Sequence, residues 1–361
     1  MKKTPRTILV KSALLLFFIC IVGRTEAKSG LILQDSIPRQ VTIAGVGDIM
    51  LGTSYPSIKY LPPANSPERL LADVADTLRS ADVLFGNLEG AFLDEGSPVK
   101  TCRDTTNCYL FRMPEGYAGA LSYAGFDVLS IANNHFNDFG MPAVRKTRQL
   151  LDSLGISYAG LTTVPYVIFE KDSLIYGFCA FAPNAGTVNI NDIDGAEEIV
   201  RALSTQCDIV IVSFHGGAEG ADFQRVPRTS ETYKGENRGN VHEFAHRMID
   251  SGADVVFGHG PHVTRATEVY KNRFIAYSLG NFCTYGRFNL SGPNGIAPLV
   301  MLRVDTTGRF LSGRIIPVFQ AGNGVKVDPQ KRVIKKLIDL NALDFPESEA
   351  IVTETGEILY R

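Results

Sequence analysis

Short apolar runs alternate with amphipathic stretches along most of the chain, the pattern of strands interleaved with helices. Residues 41–47 (VTIAGVG), 81–85 (ADVLF), 126–132 (FDVLSIA), 156–160, 208–214 (DIVIVSF) and 254–257 read as buried strands. Helical patterns occupy 66–80, with Ser66 as cap and Pro67 in the first turn, and also 115–124, 142–154 closed by Gly155, 195–203, 239–250 and 329–342. Residues 167–181 alternate about a Lys171-Asp172-Ser173 turn and predict a hairpin, as do 267–282. Residues 298–305 and 310–319 read as paired strands. No repeat or linker interrupts the series. The prediction is one α/β domain over 38–343, with two stacked sheets flanked by helices, followed by a polar tail over 344–361.

The amino end stands apart. Residues 1–11 carry Lys2, Lys3, Arg6 and Lys11, residues 12–23 (SALLLFFICIVG) are apolar, and Arg24-Thr25-Glu26-Ala27 ends on a small residue. This is the three-part form of a secretory signal peptide over 1–27, cleaved after Ala27 or retained as an anchor. The apolar run is shorter than the roughly 20 residues of a spanning helix. Phe17-Phe18-Ile19 ahead of Cys20 is too bulky for a lipoprotein signal. The chain is therefore expected in the periplasm, in the cell envelope or outside the cell. In an oxidising compartment Cys102 and Cys108 would close their polar loop as a disulfide, while Cys179 and Cys207, set in apolar runs, read as buried thiols. With 36 Lys+Arg against 38 Asp+Glu, the chain lacks the basic excess of a dedicated nucleic-acid binder.

The chemistry gathers at the strand ends. The first strand runs into Gly47-Asp48-Ile49-Met50, the second into Gly86-Asn87-Leu88-Glu89, and the third into Asn133-Asn134-His135. The strand ending at Phe214 runs into His215-Gly216-Gly217, and the next into Gly258-His259-Gly260-Pro261-His262. Parallel strands bring their carboxyl ends to one edge of the sheet, where ligands bind. Four of the six histidines stand on these ends, so the placement predicts one convergent site. Carboxylate, amide and imidazole groups suit a divalent ion such as Mn, Zn, Fe or Mg better than a thiolate metal.

Several motifs occur in order: G-D-x-M-L-G at 47–52, G-N-L-E at 86–89, and A-N-N-H with Asp138-Phe139-Gly140. They are followed by G-A-D-V-V-x-G-H-G-P-H at 252–262 and Y-S-L-G-N-F at 277–282. In these motifs the chain resembles the CapA family, the poly-gamma-glutamate capsule synthesis proteins, over about 42–319. The resemblance implies a four-layer α-β-β-α sandwich of the calcineurin-like, metallo-dependent phosphatase-like kind. It places Asp48, Asn87, Glu89, Asn134, His215, His259 and His262 around a metal site, with His135 where a phosphoesterase histidine serves the leaving group. His215 is a second candidate for proton transfer, and Asn281 a candidate substrate contact. It also implies an accessory role in capsule or poly-gamma-glutamate synthesis or export. The substrate would be an anionic polymer or a phosphoester, and the partner a membrane-bound polymer synthase.

The chain departs from the phosphoesterase pattern at three places. Met50 replaces a histidine, Asn87 replaces the bridging aspartate, and Gly216 stands where the family often has tryptophan. A thioether is a poor ligand for a hard ion. Two functions follow: a metal-dependent hydrolase, favoured by the clustered histidines, or a polymer-binding assembly protein without chemistry, favoured by Met50 and Asn87. A third reading rests on His242-Glu243-Phe244-Ala245-His246, which matches the H-E-x-x-H of zinc peptidases, although Phe244, Met248 and Ile249 form an ordinary packing stripe on the same helix. Arg238 and Arg265 each follow a motif closely enough to clamp a carboxylate or phosphate, or else form a structural ion pair.

Overall fold

The computed structural model describes residues 39–101, 108–322 and 324–361. The signal sequence expected over 1–27 and the Cys102 end of the expected disulfide lie outside the described residues. Cys179, Cys207 and Cys283 are free thiols, the first and last buried and Cys207 half-buried.

Two sheets carry the fold. The larger runs in the order Ala350–Val352, Glu357–Tyr360, Phe310–Ala321, Ile296–Asp305, Gln40–Met50, Val83–Leu88, Val128–Ser130, Ser157–Ala159. Strand Asn281–Thr284 joins it alongside the end of Gln40–Met50, and Gly324–Val327 alongside Phe310–Ala321. The smaller runs Thr267–Tyr270, Arg273–Ala276, Val255–His259, Ile209–His215, Leu174–Phe181, Tyr166–Lys171. Their facing surfaces form one core, in which Ile43, Phe85 and Val128 of the larger sheet meet Phe178, Ile211 and Phe257 of the smaller. Phe85 and Phe257 stack across it at 5.0 Å. Helices Gly119–Ala124 and Gly140–Leu154 cover the outer face of the larger sheet through Leu121, Val144 and Leu151. Helices Ile193–Ser204 and Val241–Asp250 cover the smaller through Val200, Leu203, Phe244 and Met248. The architecture is a four-layer α-β-β-α sandwich.

The parallel pairings set the site. Asp48 lies opposite Asn87 and Asn281, Asn87 opposite Ser130, and His259 opposite His215. The carboxyl ends of these strands therefore stop together.

Two expectations are corrected. The helix expected over 66–80 is a short 3-10 turn, Pro67–Leu70, followed by helix Ala75–Arg79. The Ser66 hydroxyl donates to Glu68 Oε2 at 3.4 Å instead of capping the first turn. The segment read as a polar tail supplies two strands, Ala350–Val352 and Glu357–Tyr360. They pair with each other and, through Gly313 opposite Ile358, with the larger sheet. Ala350, Val352 and Ile358 enter the core between the sheets, while Ile351 and Leu359 face solvent. This two-residue alternation is diluted by the Glu354-Thr355-Gly356 turn between the strands.

Candidate metal centre and cleft

The first strand changes partners where the site begins. On one side it pairs with Ile296–Asp305 through Gly45 and from Asp48 lies beside Asn281–Thr284, while on the other it keeps Val83–Leu88 across a register break between Gly45 and Asp48. Gly47 permits the crossing, because a Cβ there would stand 1.9 Å from the Gly280 carbonyl oxygen. The Asp48 backbone N–H donates to that oxygen at 2.9 Å.

Asp48 is fully buried and sits at the centre of a hydrogen-bonded group. The Asn87 amide donates to its Oδ1 at 2.8 Å. His259 Nδ1 approaches Oδ1 at 3.2 Å and His262 Nδ1 approaches Oδ2 at 2.9 Å. His262 Nε2 stands 3.4 Å from Glu89 Oε1, so one imidazole spans two carboxylates. His262 reaches this position from a left-handed backbone, φ 57°, after the Gly260-Pro261 turn.

The charges interlock. Burial opposes ionisation of Asp48, but hydrogen bonds from His259 and His262 outweigh it and hold the carboxyl well below its usual range. Burial, reinforced by the Asp48 charge, pushes Glu89 well up. Burial also opposes the His262 imidazolium, yet Glu89 and Asp48 overcome it and push its pKa up to about 10. Two adjacent buried carboxylates thus draw positive charge to the point between them.

The donor set fits a divalent ion. Ligand atoms of Asp48, Glu89 and His262 lie within 4.8 Å of one another. Around them, Glu89 Oε1, His259 Nε2, both ring nitrogens of His215, Asn134 Oδ1 and Asn281 Oδ1 are buried without a hydrogen-bond partner. Orphaned buried acceptors are costly in an apolar interior, and oxygen and imidazole ligands suit borderline and hard ions. Asn87 is differently engaged. Its Oδ1 accepts from Asn133 at 3.2 Å and its Nδ2 donates to Asp48 and, at 3.3 Å, to Glu89. It aligns the two carboxylates where a ligand oxygen was expected. Met50 is buried in the core of the outer layer, and its sulfur accepts from the Gly52 N–H at 3.3 Å.

A cleft of about 580 Å³ opens over this group, lined among others by His135, His262, Asn134, Asn281, Phe111 and Phe288. His135 Nδ1 pairs with Asp138 Oδ2 at 2.8 Å. Asp138 is itself held by the Phe111 N–H at 2.9 Å and by Lys100 Nζ, 3.1 Å from its other oxygen. Burial lowers the His135 pKa, with Asp138 opposing in part, so the ring is neutral near pH 7.

The family described as "Bacterial capsule synthesis protein PGA_cap" matches residues 42–285. The chain belongs to that family. Among relatives of this PGA_cap protein, the capsule biosynthesis protein CapA of Bacillus anthracis is 28% identical over 303 residues, covering 78% of this chain and 69% of the relative. The PGA biosynthesis protein CapA of Bacillus subtilis (strain 168) is 25% identical over 300 residues, covering 78% and 73%. The structure of a 5'-nucleotidase precursor from Thermus thermophilus is 10% identical with a TM-score of 0.42, covering 84% of this chain and 59% of that one.

The PGA_cap fold sorts the remaining candidates. Arg238 lines the cleft and Arg265 does not. Arg265 is fully buried and holds Glu231 with both terminal nitrogens, at 2.7 and 2.8 Å, while its Nε donates to the Phe223 carbonyl. It is a structural ion pair, and the substrate contact expected of it is withdrawn. His215 sits behind the cleft lining beside His262, ring centres 6.3 Å apart, where burial and then the Arg238 charge lower its pKa well below the ordinary value. The His242-Glu243-His246 match lies on helix Val241–Asp250, and none of its residues lines the cleft. His246 pairs with Glu268 at 2.5 Å, His242 stacks on Tyr277 and Phe345, and Glu243 exchanges hydrogen bonds with the helix cap Asn240. The zinc-peptidase reading is therefore replaced by packing and capping. Sequence reasoning does not reach Asn133 and Asp138 as site residues. The three-residue spacing of His135 and Asp138 is the signal that could have found the second.

Proposed function

We propose that this PGA_cap protein is an exported, metal-dependent hydrolase that acts on an anionic polymer during capsule synthesis, cutting γ-glutamyl amide bonds. The observation carrying the reading is the Asp48–Glu89–His262 cluster, whose His262 lines the same cleft as His135. The amino-terminal signal pattern supports export. The family supports the polymer class.

Asp48, Glu89 and His262 would hold the ion, with the free imidazole nitrogens of His259 and His215 beside them. When bound, a divalent ion supplies Lewis acidity toward a carbonyl or phosphoryl oxygen and acidifies water. The chain supplies the proton traffic. Asp138 fixes the Nδ1 side of His135, which leaves Nε2 to take up a proton and return it to the leaving nitrogen. Phe111 and Phe288 wall the cleft beside His135 and His262 and give it an apolar side.

One observation favours the second reading, polymer binding without chemistry. Asn87 brings no charge between the carboxylates and occupies them with its own amide. Elemental analysis after incubation with Mn, Zn or Mg, beside a hydrolysis screen of γ-glutamyl polymer and phosphoesters, separates the two. The hydrolase reading expects stoichiometric metal in the wild type and in His135→Ala, and none in Asp48→Asn or Glu89→Gln. It expects turnover to fall about 10²–10⁴-fold in His135→Ala. A wild-type protein that takes up none of the three metals removes the mechanism and leaves the binding reading.

A further inference from the structure

Arg238 is 2% exposed, yet it reaches the cleft. Its Nε donates to the Gly217 carbonyl at 3.1 Å and its Nη1 to Glu236 Oε2 at 3.0 Å. Glu236 is held in turn through its other oxygen by the Asn184 amide at 2.9 Å. Nη2 lies 3.2 Å from Glu219 Oε1 but hydrogen-bonds nothing. Space beside it is kept by Gly260, at φ 113°, where a Cβ would come within 3.2 Å of Nη2. The lining carries four Lys and Arg residues, Lys100, Lys234, Arg238 and Arg287, against two carboxylates, Glu219 and Glu236.

We infer that Arg238 Nη2 is a preorganised donor for an oxyanion of the substrate, and that this contact selects an anionic chain over a neutral one. The inference rests on the hydrolase or polymer-binding reading of the same cleft. Gly217 and Glu236 fix the guanidinium on two sides, so it loses little freedom when Nη2 takes a substrate oxyanion in place of its ion pair with Glu219, and its planar fork suits carboxylate or phosphate. Lysine in its place would offer a point charge and could not hold Gly217 and Glu236 while reaching the ligand. The shared chemistry is an oxyanion, from a glutamyl side chain or a phosphoryl group.

Calorimetric titration of the metal-supplemented full chain tests this, using γ-linked triglutamate, its side-chain amide analogue, and inorganic phosphate. The wild type is expected to bind triglutamate or phosphate and to discriminate against the amide. Arg238→Lys and Arg238→Met are expected to bind the preferred anion about 10- to 100-fold more weakly and to lose the discrimination, with metal content near wild type. Triglutamate binding alone assigns a carboxylate, and phosphate binding alone assigns a phosphoryl group. If Arg238→Met does not fold, Arg238→Lys decides. Unchanged affinity in a folded variant, or a wild type that binds neither anion, overturns the inference. Arginine-dependent binding without hydrolysis leaves it standing while the hydrolase reading fails. Hydrolysis indifferent to Arg238 does the reverse.

Discussion

Removing the Arg265 guanidinium would leave Glu231 buried without its counter-charge. Breaking such a pair from one side costs about 3–5 kcal/mol, because the remaining charge has neither water nor a partner. Arg265→Ala is therefore expected to lower the urea midpoint sharply, while whatever protein remains folded keeps its metal content. An equally stable variant with weakened ligand binding would return Arg265 to the cleft. Arg238 and Arg265 look alike in the sequence, each a basic residue just beyond a motif. They differ only in what the fold sets beside them: Glu231 hydrogen-bonds both arms of one, while Nη2 of the other makes no hydrogen bond and has only the ion pair with Glu219 at 3.2 Å. The same holds for Asp138, whose partnership with His135 depends on the turn between them.

At the scale of elements, the site depends on strand Gln40–Met50 passing from Ile296–Asp305 to Asn281–Thr284 at Gly47. A methyl group at that position meets backbone, which cannot rotate away. Gly47→Ala is expected to destabilise the protein by at least about 1–3 kcal/mol. It should also reduce metal content, because Asp48 and Asn281 share the displaced register. Thermal melting and elemental analysis of one sample check both, and a variant with wild-type values in both would show that the crossing is pliable. The strands that carry the site were legible because each is a dense apolar run ending in polar residues. The carboxyl-terminal strands were not, since two short segments with polar outer faces resemble a tail until a sheet edge is there to pair with them.

Over the whole molecule, pH acts on the end of the smaller sheet away from the cleft as well as on the site. Asp254 accepts from the Val210 N–H at 2.7 Å and pairs with Arg273 at 2.9 Å, but burial dominates and pushes its pKa up to about 7. The folded state then holds a proton that the unfolded chain has released above a pKa of 3.8. The contribution is fully present below about pH 4 and is lost as pH rises through about 7, on the order of a few kcal/mol in all. Asp254→Asn, which cannot titrate, should flatten the pH dependence of the urea midpoint across that window relative to wild type. Parallel curves for the two proteins would show that Asp254 titrates alike in both states. Among the described residues no helix is long and apolar enough to cross a membrane.

The order of apolar runs and the polar residues closing them determined the α/β class, the strands and the convergence of Asp48, Glu89, His135, His259 and His262. Those features depend on periodicity and on parallel strands ending together, both local or topological properties. Only the tertiary structure decided that Asn87 aligns carboxylates, that Met50 belongs to the core, that His242 and His246 serve packing, and that Arg238 rather than Arg265 faces the cleft. Each of those outcomes turns on a partner distant in sequence and near in space. A side chain's chemistry is set by the neighbour that satisfies it or leaves it open, and the fold chooses that neighbour.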